Sequence, residues 1–225
     1  MAADLALLDL LDAVELNGNP RAFVRHYTWA APAFTFGLSQ RWEEVRQAAQ
    51  ALGTGVECVR RPTGGGLVDH RADWTYALAA APSHPFGNAP AQLAYQQLHL
   101  ALAEALAACG RPATLQPCAP EKRFSGPNLA CFTQPEIYDV ICPQSGRKLA
   151  GAAQKRTRQG LLVQGSLDRK ACALSDWKPF YEVFCEQVAR LLGTPYDFGE
   201  APEAWRMASE RHRATFACAS WNQRR

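Results

Sequence analysis

The chain has 225 residues, 48% of them hydrophobic and 20% charged, with a formal net charge of +3. These values fit one large soluble domain, and the basic residues are too few and too scattered to support nucleic-acid binding. No run reaches the ~18 apolar residues of a membrane helix, and an N-terminus carrying Asp4, Asp9 and Asp12 without a basic start is not a signal peptide, so a cytoplasmic protein with no membrane partner is expected.

Leu5, Leu8, Leu11 and Leu16 fall at helical spacing and predict an amphipathic helix over 2–16. Phe23 to Trp29 and Ala33 to Gly37 read as strands separated by Pro32. A helix is predicted from Gln40 to Leu52, ended by Gly53. A strand from Val56 to Arg61 then feeds the turn Arg60-Arg61-Pro62-Thr63-Gly64-Gly65-Gly66, and Leu67 to His70 and Trp74 to Ala79 continue the sheet. Three consecutive glycines let a backbone approach a ligand closely, and arginine supplies a charged, planar donor fork. The turn therefore reads as a cradle for an anionic or carbonyl-bearing group.

After a turn-rich stretch from Pro82 to Pro90, Ala91 to Cys109 forms a long helix, and residues 111–130 a long irregular connection of the kind that often carries function. Glu136 to Cys142, Arg147 to Ala152 and Gly160 to Leu167 read as strands; Trp177 to Leu192 and Pro202 to Arg213 read as helices. The pattern implies an α/β or α+β domain, a mixed sheet flanked by helices, with 1–225 as one unit. The eight cysteines show no C-x-x-C pair and no cluster with histidine, so no metal site is expected.

A second motif, Gly146-Arg147-Lys148-Leu149-Ala150-Gly151, places a lysine among small residues that leave room beside its ammonium. The two motifs together resemble the lipoate–protein ligase and octanoyltransferase superfamily, related in fold to biotin–protein ligases. Arg25 to Trp29, Phe36 to Gln40, Thr75-Tyr76 and Ser220-Trp221-Asn222 resemble further family segments in the same order. A biotin ligase's Gly-Arg-Gly-Arg loop is absent. The resemblance implies that Arg61, Thr63, Gly64, Gly65 and Gly66 line an acyl pocket with His70 at its edge, that Ala150 and Gly151 adjoin it, and that Lys148 hydrogen-bonds the acyl carbonyl.

Two chemistries share the family. Ligases activate the acyl group with ATP; transferases take octanoyl from a carrier-protein thioester through a cysteine. The chain stops soon after Trp221, where the similar single-chain ligases commonly carry a further domain, so either that domain is lacking or a separate subunit is needed. Cys131-Phe132 stands where the ligase-like octanoyltransferase branch has its nucleophile. By residue type alone Cys131 is a buried structural thiol; the resemblance makes it the nucleophile, with Lys148 favouring its thiolate.

The expected activity is octanoyl transfer from acyl carrier protein to a lysine of a lipoyl-domain protein, such as a glycine cleavage H protein or a 2-oxoacid dehydrogenase E2. ATP and Mg enter only for the ligase alternative, and no other cofactor is implied. A thioester hydrolase and a noncatalytic acyl- or lipoyl-domain-binding protein remain alternatives. A monomer is expected, with Arg147, Lys155, Arg156 and Arg158 as docking charges for acidic carriers or as a solvated hairpin face. Three departures affect substrate choice: Gln164 replaces the family's usual histidine, Asp69 replaces an apolar residue, and Arg71 replaces an acid that reappears only at Asp73.

Overall fold

The computed structural model describes residues 1–13, 21–118 and 134–224. Its elements in chain order are α1 (Ala2–Ala13), β1 (Ala22–Tyr27), β2 (Ala33–Phe36), α2 (Trp42–Leu52), β3 (Glu57–Arg60), β4 (Val68–Asp69), β5 (Asp73–Ala80) and α3 (Pro85–Asn88). They continue as α4 (Ala91–Ala108), β6 (Thr114–Leu115), β7 (Val140–Ile141), β8 (Lys148–Thr157), β9 (Gly160–Asp168), α5 (Arg169–Cys172), α6 (Lys178–Leu192), α7 (Glu203–Ala217) and α8 (Ala219–Asn222). Among the described residues a six-stranded sheet has the order β1-β5-β9-β8-β7-β6 and a three-stranded sheet the order β3-β2-β4. Neighbours in the large sheet run antiparallel; in the small sheet β2 pairs with β3 in parallel and with β4 antiparallel.

Alternation along β5 assigns the two faces of the large sheet, because successive side chains of a strand point to opposite sides. Trp74, Tyr76, Leu78 and Ala80 join Leu161, Val163 and Leu167 in the main core, against Leu98 and Leu102 of α4 and Phe180 and Phe184 of α6. Phe180 and Phe184 meet Trp74 edge-on. Each fully buried Leu or Phe contributes about 1.5–3 kcal/mol, so this face carries most of the hydrophobic stabilisation. On the opposite face Ala77, Ala79 and Leu162 are covered by Leu7 and Leu8 of α1. α7 packs over α1, with Trp205 Nε1 donating to Ala3 O at 2.8 Å. The remainder of that face is roofed by the small sheet and the glycine turn.

The turn is fastened from both sides. Leu38 N donates to Thr63 O and Arg61 N to Phe36 O. A Cβ on Gly37 would stand 2.0 Å from Gly65 O, so the close approach requires glycine there. Gly65 itself has φ +88, a conformation that L side chains rarely adopt.

The structure alters several expectations. Glu136 to Cys142 is not a strand throughout. Only Val140–Ile141 pairs, because Tyr138 takes a left-handed φ of 66 and the Asp139 carboxylate accepts Glu136 N at 2.6 Å, closing a turn before the strand starts. β8 continues beyond Ala152 to Thr157. Arg156, read as a docking charge or as part of a solvated hairpin face, is exposed and also donates to Gly87 O and Ala89 O at 2.6 and 2.5 Å, which ties the hairpin to α3. α3 itself occupies the stretch read as turns, with His84 accepting Phe86 N as its cap.

Candidate active site

The register places one row of residues across four strands on the roofed face: Tyr27, Thr75, Ser166 and Gly151. The next row is Arg25, Ala77, Gln164 and Ala153. Above these rows lie Thr35 of β2, Val68 of β4, Arg61, Gly65 and His70, enclosing a pocket into which Met1 also reaches. Lys148, Gly151 and Gln164 line it as well.

Lys148 starts β8 and is 4% exposed, contrary to the usual solvated lysine. Its Nζ is 2.7 Å from Asp139 Oδ2, and Asp139 Oδ1 accepts Tyr95 OH at 2.5 Å. The ammonium passes directly over Gly151, where a Cβ would lie 2.7 Å from Nζ and 3.1 Å from Asp139 Oδ1. Gly151 is therefore the opening through which the lysine reaches the pocket. Asp139 is placed in turn by the Tyr138 backbone, whose carbonyl is 2.6 Å from His99 Nδ1. Burial pushes the His99 imidazole down to about 4, with Asp139 and the Tyr138 carbonyl only partly opposing, so His99 is neutral and donates from Nδ1. Burial also drives the Tyr95 phenol upward, the Asp139 charge adding to it, which keeps Tyr95 a proton donor.

The arginine pair divides its work. Arg60 is fully buried and belongs to the scaffold: its guanidinium donates to Leu38 O, Gln40 O, Trp221 O, Asn222 O and Arg224 O. Arg61 lines the pocket and braces the glycine turn, donating to Gly64 O at 2.8 Å, Gly66 O at 2.9 Å and Thr35 Oγ1 at 2.8 Å. Thr35 Oγ1 is also 2.7 Å from His70 Nε2. The other ring nitrogen of His70, Nδ1, lies 2.6 Å from Asp73 Oδ2. Asp73 Oδ2 further accepts Thr75 Oγ1 at 2.9 Å and Ser166 Oγ at 2.5 Å. His70 is thus held by side chains rather than by a backbone carbonyl, with Trp29 stacked on its ring at 4.3 Å.

Gln164 occupies the second row. Its Oε1 accepts Thr63 Oγ1 at 2.8 Å and its Nε2 donates to Asp4 Oδ2 at 2.7 Å. Asp4 is fully buried and also receives Arg25 and Tyr27 OH. Burial raises the Asp4 carboxyl, but the N-terminal amine, Arg25, Gln164 and Tyr27 together hold it below its ordinary value.

Of the residues singled out from sequence, Arg61, Gly65, His70, Lys148 and Gly151 line one pocket. Thr63, Gly64 and Gly66 act one step behind it, through Gln164 and Arg61. Ala150 faces the opposite side and is part of the main core. Cys131 lies outside the described residues. Asp69 and Arg71 pair with each other at the surface, Nη2 to Oδ2 at 2.6 Å. Asp139, Tyr95, Thr35 and Met1 were missed. Only Asp139 carried a signal, as a charged residue between Ile137 and Val140 in an otherwise apolar run.

The polar side chains of this pocket largely satisfy one another, leaving methyls, ring faces and glycine backbone toward its interior. A buried ammonium stands beside this lining. The family model described as the lipoyl protein ligase A/B catalytic domain matches residues 2–188. The chain belongs to that family. Over 167 residues it is 32% identical to Octanoyltransferase LipM of Carboxydothermus hydrogenoformans, covering 74% of this chain and 59% of the relative. Over 171 residues it is 31% identical to the Staphylococcus aureus Octanoyltransferase LipM, covering 74% and 60%. The chain thus spans about three fifths of the length of the curated relatives it matches. Among solved structures, the bi-partite lipoate protein ligase of Thermoplasma acidophilum superposes with a TM-score of 0.72 at 15% identity, over 99% of this chain and 89% of that one. P. falciparum LipL1 in complex with lipoate gives 0.62 at 14%, over 100% and 69%. At such identity these two likenesses concern the fold.

Proposed function

We propose that this protein is an acyltransferase of lipoate assembly, moving an octanoyl group from an acyl carrier protein to a lysine of a lipoyl-domain protein. The observation that carries the reading is the buried Lys148 ammonium, held by Asp139 over Gly151 in the wall of the pocket it shares with Arg61, His70 and Gln164. Its relatives named as octanoyltransferases support the same reading. Lys148 donates to the thioester carbonyl and stabilises negative charge as it develops there. The Cys131 thiolate is the proposed nucleophile. It attacks the carbonyl carbon, the carrier's C–S bond breaks, and the carrier leaves as a thiol after taking up a proton. The acceptor lysine, as a neutral amine, then attacks the Cys131 thioester; an amide forms and the Cys131 thiol is released.

Mixing the protein with octanoyl carrier protein and reading the intact mass tests this directly. The expected result is one octanoyl adduct, labile to hydroxylamine, absent in Cys131→Ala and discharged by a lipoyl domain. No adduct, with octanoyl-AMP made from ATP instead, would make the protein a ligase.

A further inference from the structure

Two walls of the pocket differ in how they can yield to an occupant. The pocket is open to solvent on one side, and the space it offers to water is about 40 Å³, room for a few waters and too little to sheathe an octanoyl tail, so part of the lining has to move. The Met1 side chain forms one wall and is of the flexible, unbranched kind that repacks easily. Gln164 forms another and is clamped at both ends of its carboxamide, by Thr63 and by the buried Asp4, which is itself fixed by Arg25 and Tyr27.

Register shows where the clamped wall stands. The Lys148 ammonium lies above Gly151, whose partner is Ser166. Gln164, opposite Ala153, is two residues further on, roughly 7 Å along the strands at ~3.3 Å per residue. One row beyond, Leu162 and Ala79 are sealed under Leu7 and Leu8 of α1. The floor of the pocket thus ends at Gln164.

Resting on the acyl-transfer reading above, we propose that Gln164 is the stop that sets the length of the acyl chain: the tail displaces Met1 and halts against the Gln164 side chain. Carrier proteins bearing hexanoyl, octanoyl, decanoyl and dodecanoyl chains, mixed in competition, measure this by product mass. The free acids, titrated by tryptophan fluorescence, measure it without any transfer. Gln164→Ala is expected to raise the decanoyl-to-octanoyl ratio of kcat/KM about tenfold, the scale of one or two methylenes in an apolar pocket, whereas Gln164→Met, which keeps the volume, leaves the ratio near wild type. Ala153→Val adds bulk beside Gln164 without removing a hydrogen bond, and should move the preference toward hexanoyl even where Gln164→Ala folds poorly. An unchanged chain-length order in both Gln164→Ala and Ala153→Val overturns the proposal. Length-selective binding of the free acids without transfer would instead sink the transferase reading and leave the stop in place.

Discussion

A lysine and an aspartate that share a buried position depend on each other more than either contributes alone. Lys148 and Asp139 are both almost completely shielded from water, 2.7 Å apart. Removing one partner of such a pair strands the other charge, at a cost of about 3–5 kcal/mol, whereas removing both is far milder. Asp139→Asn should therefore lower the denaturant midpoint sharply, and Asp139→Asn with Lys148→Met should recover most of the loss, although both variants should lose the proposed transfer activity. Equal destabilisation of the single and double variants in urea melts would show that the pair is not what holds this corner. Lys148 was legible as a candidate because Gly151 and Ala150 gave it room. Its partner was not, since nothing local relates Asp139 to Lys148. The contact arises from the pairing of β7 with β8 and from the left-handed turn at Tyr138. The same limit applies to Thr35, which meets His70 only through the pairing of β2 with β4; Asp73, three residues beyond His70, lay within local reach.

At the scale of elements, period-2 and period-3.6 patterns located the long pieces well. β5, α4 and α6 each lie within a residue or two of their expected bounds, because each carries a sustained apolar pattern, buried on both faces in β5 and on one side of each helix. Short pieces escaped: α5 and α8 are single turns without room for a period, and the Glu136 to Cys142 run was apolar enough to resemble a strand while its first half folds as a turn. Glycines within strands were a further blind spot. Gly165 looks like a weak point in β9, but it sits opposite Tyr76, and a Cβ there would come within 2.1–2.4 Å of the tyrosine ring and hydroxyl. Gly165→Ala should thus destabilise the protein by roughly 1–3 kcal/mol, as overpacking of a tight core does. Tyr76→Leu in the same background should relieve the clash and recover part of the loss. A Gly165→Ala protein that melts with the wild type would mean that Tyr76 has another rotamer open to it.

For the whole molecule, the site and the fold share their acid sensitivity. His99 is a buried residue of α4, its imidazole at about 4 against 6.5 for the unperturbed ring, because burial penalises its charged form. The unfolded chain therefore takes up a proton on this residue before the native one does. Stability is complete above about pH 6.5 and drains away as the pH falls toward 4, by about 3 kcal/mol in all at ~1.4 kcal/mol per unit. Asp4 has the other window. Its folded carboxyl lies below the ordinary 3.8, so the stability it brings is present above that value and is lost only as the pH falls further. Urea melts between about pH 7.5 and 4.5 should consequently show a plateau above about pH 6.5 and a loss below it, to which His99 and the likewise lowered His26 contribute and Asp4 does not. His99→Gln can still donate to the Tyr138 carbonyl but carries no titrating ring, so its stability should be flatter across that range. Because His99 holds the turn that orients Asp139 toward Lys148, the proposed transfer activity of the wild type should fall in the same interval. A His99→Gln protein that loses stability as steeply as wild type over that interval would place the acid-sensitive group elsewhere in the molecule.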